Sequence, residues 1–253
     1  MPHLSRRFLV ALLSGALAVP LAFAEHTRHW RQSTLEEFLR GTAHGVALRS
    51  NGRLVLAPKF SSFADADSAY LWALRFDSKG NLYAAGGSNA KVFRFDPAGK
   101  AAKVFESDEL VAQAIAVDAH DNLFVATSPD GKIYKVTPSG QKSVFFEPKT
   151  KYIWDLALDA AGTLYVATGD KGRIFSVAPD GKGELFYAAE ETHIRSLALD
   201  SKGNLLAGTE PSGRVLRIST AKLPDNQKKG DAAGAAAARQ AFVLYETSKK
   251  EIT

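Results

Sequence analysis

Cysteine is absent from all 253 residues. No disulfide framework and no thiolate chemistry is therefore available, and packing must hold the fold. A basic stripe is absent too. The 32 basic residues are interspersed with 27 acidic ones, which leaves no electrostatic footprint for nucleic acid. No apolar run reaches the ~20 residues of a membrane span. No Gly-rich phosphate loop is present, because Gly86-Gly87 falls in a strand-end turn and opens no helix. No serine-centred nucleophile elbow occurs. No helical period separates the apolar segments, so βαβ units are excluded.

The N-terminus differs from the rest. Arg6 and Arg7 precede an apolar stretch from Phe8 to Leu21, broken by Gly15 and Pro20, and Ala22-Phe23-Ala24 follows. This pattern is a secretory signal peptide, residues 1–24, cleaved after Ala24, with a periplasmic or secreted product and no membrane span after cleavage. Ser5-Arg6-Arg7-Phe8-Leu9 loosely resembles a twin-arginine signal, but general secretion is the preferred reading, and no cysteine supports a lipid anchor. Without Arg6 and Arg7 the chain keeps 30 of its 32 basic residues against 27 acidic ones, a net charge of +3.

What the chain does have is a repeat. Leu74-Arg-Phe-Asp-Ser-Lys-Gly-Asn-Leu-Tyr-Ala-Ala recurs from Ile115, from Leu156 and from Leu197. The aspartates Asp77, Asp118, Asp159 and Asp200 are each 41 residues apart. Each copy predicts four short strands. Strand A ends at the aspartate, and a tight turn leads to strand B. Strand C follows a basic residue (Lys91, Lys132, Arg173, Arg214), and strand D ends on an aromatic (Phe105, Phe146, Tyr187). Short alternating strands between Gly, Pro and Asp turns mark an all-β fold. Four such strands in about 40 residues make one β-propeller blade. Small residues on strand A (Ala116, Ala157, Ala198) suit close approach of blades.

The propeller is expected to fill residues 25–253, with about four full blades and a short first blade. Gly45 to Ala57 reads as a degenerate strand A–B pair, and Thr34 to Phe38 as a lone strand D. Residues 219–241 form a loop insertion with no assigned chemistry. Thr253 aligns with Arg195, at the start of a strand A, so the chain is expected to be a fragment with a further blade beyond it.

The segment Ile115-Ala-Val-Asp-x-x-x-Asn-Leu-Phe-Val-Ala, with the later Gly-Lys-Ile-Tyr-Lys-Val, resembles NHL-type repeats and the related propellers of the gluconolactonase and virginiamycin B lyase type. The resemblance covers residues 43–253. It implies the fold, and it implies binding proteins and enzymes alike. Some NHL proteins bind RNA or protein partners. Lactonase-like relatives hold a divalent metal in the central channel with Glu, Asn and Asp.

In a propeller the D–A and B–C loops share one face, here called the top. The residues entering strand A align as His44, Trp72, Gln113, Trp154 and Arg195, behind a second ring of Thr42, Tyr70, Val111, Tyr152 and His193. Aromatic faces and hydrogen-bonding groups converge there, which suits a ligand site. The alternative is that Trp72 and Trp154 plug the channel. The repeated aspartates read as turn caps, not ligands. The basic residues before strand C read as solvated. The ring holds no acids, and Asp155 alternates to the other face of its strand. No cofactor is evident, and calcium would require acids from further blades. His44 or His193 as a general base is possible in principle, but an isolated His at a loop edge reads as a surface residue. The leading expectation is an exported binding module for a protein or small-molecule ligand, not an enzyme. The alternatives are a metal-dependent lactonase or lyase-like hydrolase with its acids beyond Thr253, and a scaffold without a small-molecule site.

Overall fold

The computed structural model describes residues 31, 33–34, 36–37, 40–87, 89–221 and 239–253. Residues 1–24, where a signal peptide is expected, and most of the 219–241 insertion lie outside them. The chain forms two units, Met1–Ser61 and Ser62–Thr253.

The first unit contains one antiparallel hairpin, β1 (Val46–Leu48) paired with β2 (Leu54–Leu56). Thr34, read above as part of a strand, instead begins a helical turn at Glu36–Glu37. Its Oγ1 accepts the Glu37 N–H at 3.3 Å, and the Glu37 carboxylate accepts the N–H groups of Ser33 and Thr34. This is a capping box, written in the sequence as Thr34-x-x-Glu37, and it wins because it satisfies helix-end donors that a lone strand would leave unpaired.

The second unit is four antiparallel four-stranded blades in chain order. Blade I is β3 (Leu71–Phe76), β4 (Leu82–Gly86), β5 (Val92–Phe95) and β6 (Ala101–Phe105). Blade II is β7 (Val111–Val117), β8 (Leu123–Ser128), β9 (Ile133–Val136) and β10 (Lys142–Phe146). Blade III is β11 (Ile153–Leu158), β12 (Leu164–Thr168), β13 (Arg173–Val177) and β14 (Gly183–Ala188). Blade IV is β15 (His193–Leu199), β16 (Leu205–Glu210), β17 (Arg214–Ile218) and β18 (Ala241–Glu246). The architecture is all-β. No helix among the described residues is long and apolar enough to cross a membrane.

The repeated aspartates build the A–B turns. Asp77 Oδ1 accepts the N–H groups of Lys79 and Asn81 at 2.9 and 2.8 Å, while Oδ2 takes the Asn81 amide at 2.7 Å. Asp118 with Asn122 and Asp200 with Asn204 repeat the arrangement. Asp159 does so through the backbone of Ala161 and Thr163.

The core lies between blades. Alternation along strand B sends successive residues to opposite neighbours. Leu123 and Val125 pack with Tyr83, Val92 and Phe105 of blade I. Phe124 and Ala126 pack with Leu156, Leu164 and Val166 of blade III. Blades III and IV meet through Ile174, Phe186, Ile194 and Leu216. Ala116 and Ala157 sit in these interfaces, whereas Ala198 is exposed. Ala64 and Ala66 cover the outer side of blade I against Phe93 and Phe95.

Candidate functional site

The D–A and B–C loops do share one face. Thr192, in the loop before blade IV, donates its N–H to the Glu210 carbonyl and accepts the Gly172 N–H at 2.8 Å. Gly131, Gly172 and Gly213 of the B–C loops all have positive φ. A Cβ on Gly131 would lie 1.6 Å from the Thr150 carbonyl, so only glycine lets the loops cross.

On this face strand A of each of blades I to IV carries the same irregularity. The pairing of β3 with β4 steps from Leu71↔Gly86 to Ala73↔Ala85, leaving Trp72 as an extra residue. Gln113 on β7, Trp154 on β11 and Arg195 on β15 are the extra residues of the same β-bulge. A bulge bends the strand and re-aims its side chain. Four of the five aligned ring positions thus share one backbone device. His44 and Thr42 belong to the first unit, where both are exposed.

The four bulges carry different surroundings. Trp154 is braced on several sides. Tyr152 stacks on it at 5.2 Å and 8°, and the Arg195 guanidinium lies 4.0 Å from the ring centre. Its Nε1–H donates to Nδ1 of His193 at 3.2 Å. Arg195 is tied in turn to Glu210 at 3.5 Å and Glu251 at 3.6 Å. Trp72 is open. It stacks on Tyr70 at 6.1 Å, and the two residues are 51% and 66% exposed. Gln113 is half-buried, and its amide makes no hydrogen bond among the described residues. Val111 is half-buried beside it.

Asp155 departs from the alternation argument, because the bulge at Trp154 breaks the alternation on which it rested. Its carboxylate accepts the N–H of Leu197, on strand A of the next blade, at 2.9 Å and that of Leu156 at 2.8 Å. Arg75 of β3 reaches it at 3.5 Å, spanning from blade I to blade III. Burial pushes its carboxyl above the usual range, against the pull of those N–H groups and of Arg75. The only sign of this in the sequence is that Arg75 and Asp155 each break their repeat column, where alanine prevails in the first.

The basic residues before strand C are not all solvated. Lys132 pairs with buried Glu109, and Arg214 with buried Glu191. Among the described residues no group of three or more His, Asp or Glu stands ready to hold a metal ion.

Solved structures share this architecture. Virginiamycin B lyase from Staphylococcus aureus superposes with a TM-score of 0.57 at 13% identity, over 78% of this chain and 61% of that one. A streptogramin B lyase gives 0.55 at 16%, over 69% and 58%. The extracellular domain of a one-component system from B. thetaiotaomicron gives 0.51 at 18%, over 72% and 26%. No family model matches the chain, and no curated protein matches it in sequence. At these identities the likeness is one of fold: the chain shares the β-propeller fold of these proteins, and it spans about three fifths of the two lyases' length.

Proposed function

We propose that the chain is an exported binding module that takes its ligand or protein partner on the top face. The observation that supports this best is the set of four bulges, which give Trp72, Gln113, Trp154 and Arg195 one shared presentation. Of that set, Trp72 and Gln113 form the contact surface, together with Tyr70 stacked on Trp72. An exposed Tyr–Trp stack offers large apolar area at low entropic cost, and the Gln113 amide makes no hydrogen bond among the described residues. Trp154 and Arg195 brace the neighbouring blade, since their faces and charges already have partners. This divides the sequence-level ring into contact residues and supports.

The test is recovery of the exported protein with its bound partner, followed by the same recovery with Tyr70→Ala/Trp72→Ala. The protein is expected to begin at Glu25, and the double variant to lose at least tenfold in affinity, the scale of an aromatic hot spot of about 2 kcal/mol. Hydrogen exchange is expected to show protection at 70–72 and 111–113. Undiminished binding by the double variant would sink the top-face reading.

A further inference from the structure

The blades alternate. Ahead of strand A, the D–A loop places Ser68, Glu109, Thr150 and Glu191 before blades I to IV. Glu109 and Glu191 are 82 residues apart, as are Tyr70 and Tyr152, Trp72 and Trp154, Gly87 and Gly169, and Pro129 and Pro211. Blades II and IV follow one pattern, and blades I and III another.

In blades II and IV the glutamate fills a two-point socket. Glu109 accepts the Asp130 backbone N–H at 3.1 Å and lies 3.4 Å from Lys132 Nζ. Glu191 accepts the Ser212 backbone N–H at 3.1 Å and lies 3.6 Å from the Arg214 guanidinium. Both carboxylates belong to residues only 7% exposed. The donors occupy the same two repeat positions, one in the B–C loop and one at the start of strand C. Charge-assisted hydrogen bonds of this kind hold a carboxylate firmly.

Blade III keeps the donors and lacks the carboxylate. Lys171 supplies the loop N–H and Arg173 the cation. Thr150 stands where the glutamate would be, and its hydroxyl donates to the Gly169 carbonyl at 3.3 Å. Among the described residues, neither the Lys171 N–H nor the Arg173 guanidinium has a hydrogen-bonded or ionic partner. A cavity of about 110 Å³ opens there, with Lys149, Thr150, Lys171 and Arg173 on its walls. Asp170 is its one acidic lining residue and makes no ion pair among the described residues.

We propose that this socket binds the carboxylate of an external ligand, in the role that Glu109 and Glu191 play inside the protein. The ligand class is a small carboxylic acid, or a molecule that presents one to this cavity. The argument comes from the sister blades and does not use the exposed Tyr70–Trp72 stack, so failure here would leave that reading standing.

The experiment is an amide NMR titration of the chain with sodium acetate, against sodium chloride at matched ionic strength. The Lys171 and Gly172 amides are expected to shift saturably with acetate alone. The Asp130 and Ser212 amides, whose sockets are filled, are expected to stay still. Thr150→Glu supplies the missing carboxylate and is expected to cut the acetate response at least tenfold. Glu109→Ala empties the blade II socket and is expected to make the Asp130 amide respond. If Thr150→Glu does not fold, Arg173→Gln takes its place, with the same loss expected. The proposal is overturned if Lys171 does not move, if it moves equally in chloride, or if its response survives the variant that folds.

Discussion

At the scale of single residues, Asp155 is a carboxylate of the second unit whose burial opposes its charge. Its side chain is 18% exposed, and it links strand A of blade III to Leu197 of blade IV and to Arg75 of blade I. Burial raises its carboxyl in the folded state. Between the unfolded value, about 3.9, and the raised folded one, the native protein holds a proton that the unfolded chain has lost. The contribution of Asp155 to stability therefore falls as pH rises through that window and is flat above it. Urea unfolding of the wild type and Asp155→Asn is expected to show this slope in the wild type only. Parallel pH curves for the two would mean that the carboxylate is not desolvated. Asp200 has the opposite sign. The Asn204 amide and the backbone of the turn hold its carboxyl below the usual range, so its contribution is present at neutral pH and lost as pH falls below about 3.9. The turn role of Asp77, Asp118, Asp159 and Asp200 was legible in the sequence, because an aspartate two and four residues before its N–H partners needs only local geometry.

At the scale of strands and turns, the 41-residue period yielded strands A to D of each full blade, since period-two alternation and Gly/Pro turns both survive in a single chain. Two features were hidden. A bulge leaves no mark in an alignment made at fixed period, so the face occupied by Asp155 was misread. The 82-residue alternation was also lost, because comparing each blade with the next averages two patterns. Trp72 with Gly87, and Trp154 with Gly169, show what that alternation means. Each tryptophan faces a glycine ten residues past the turn aspartate, where blades II and IV have Ser128 and Glu210. The two glycines differ in tolerance. A Cβ on Gly169 would lie 2.7 Å from His193 Nδ1 and 2.8 Å from Trp154 Nε1, inside the hydrogen bond between them. At Gly87 the closest atoms are 3.6 and 3.7 Å away, which is ordinary contact. Gly169→Ala is expected to cost about 1–3 kcal/mol by overpacking, and Gly87→Ala less than about 0.5 kcal/mol. Thermal unfolding distinguishes them, and equal losses would show that the Tyr152–Trp154–His193 cluster yields to the extra methyl.

At the scale of the whole second unit, stability is a chain of neighbour interfaces, because each core is shared by two consecutive blades. Such a stack has two outer sheet faces. That of blade I is covered in part by Ala64 and Ala66, with Phe63 edge-on to Phe95 at 6.5 Å. Blade IV presents β18, whose Phe242, Val243, Leu244 and Tyr245 are each about half exposed. The other D strands expose more polar groups, such as Lys103 on β6, Lys142 and Ser143 beside Val144 on β10, and Glu184 on β14. An apolar edge strand with free backbone groups is a template for pairing with another chain. Self-association of the isolated chain is therefore expected to rise with concentration and to run through β18. Val243→Lys places a charge on that strand and is expected to shift sedimentation towards the monomer while moving stability by no more than about 0.5 kcal/mol, the usual range at an exposed position. An unchanged sedimentation profile would place the contact on another surface. A large loss of stability would mean that Val243 is packed in solution, which its 54% exposure contradicts.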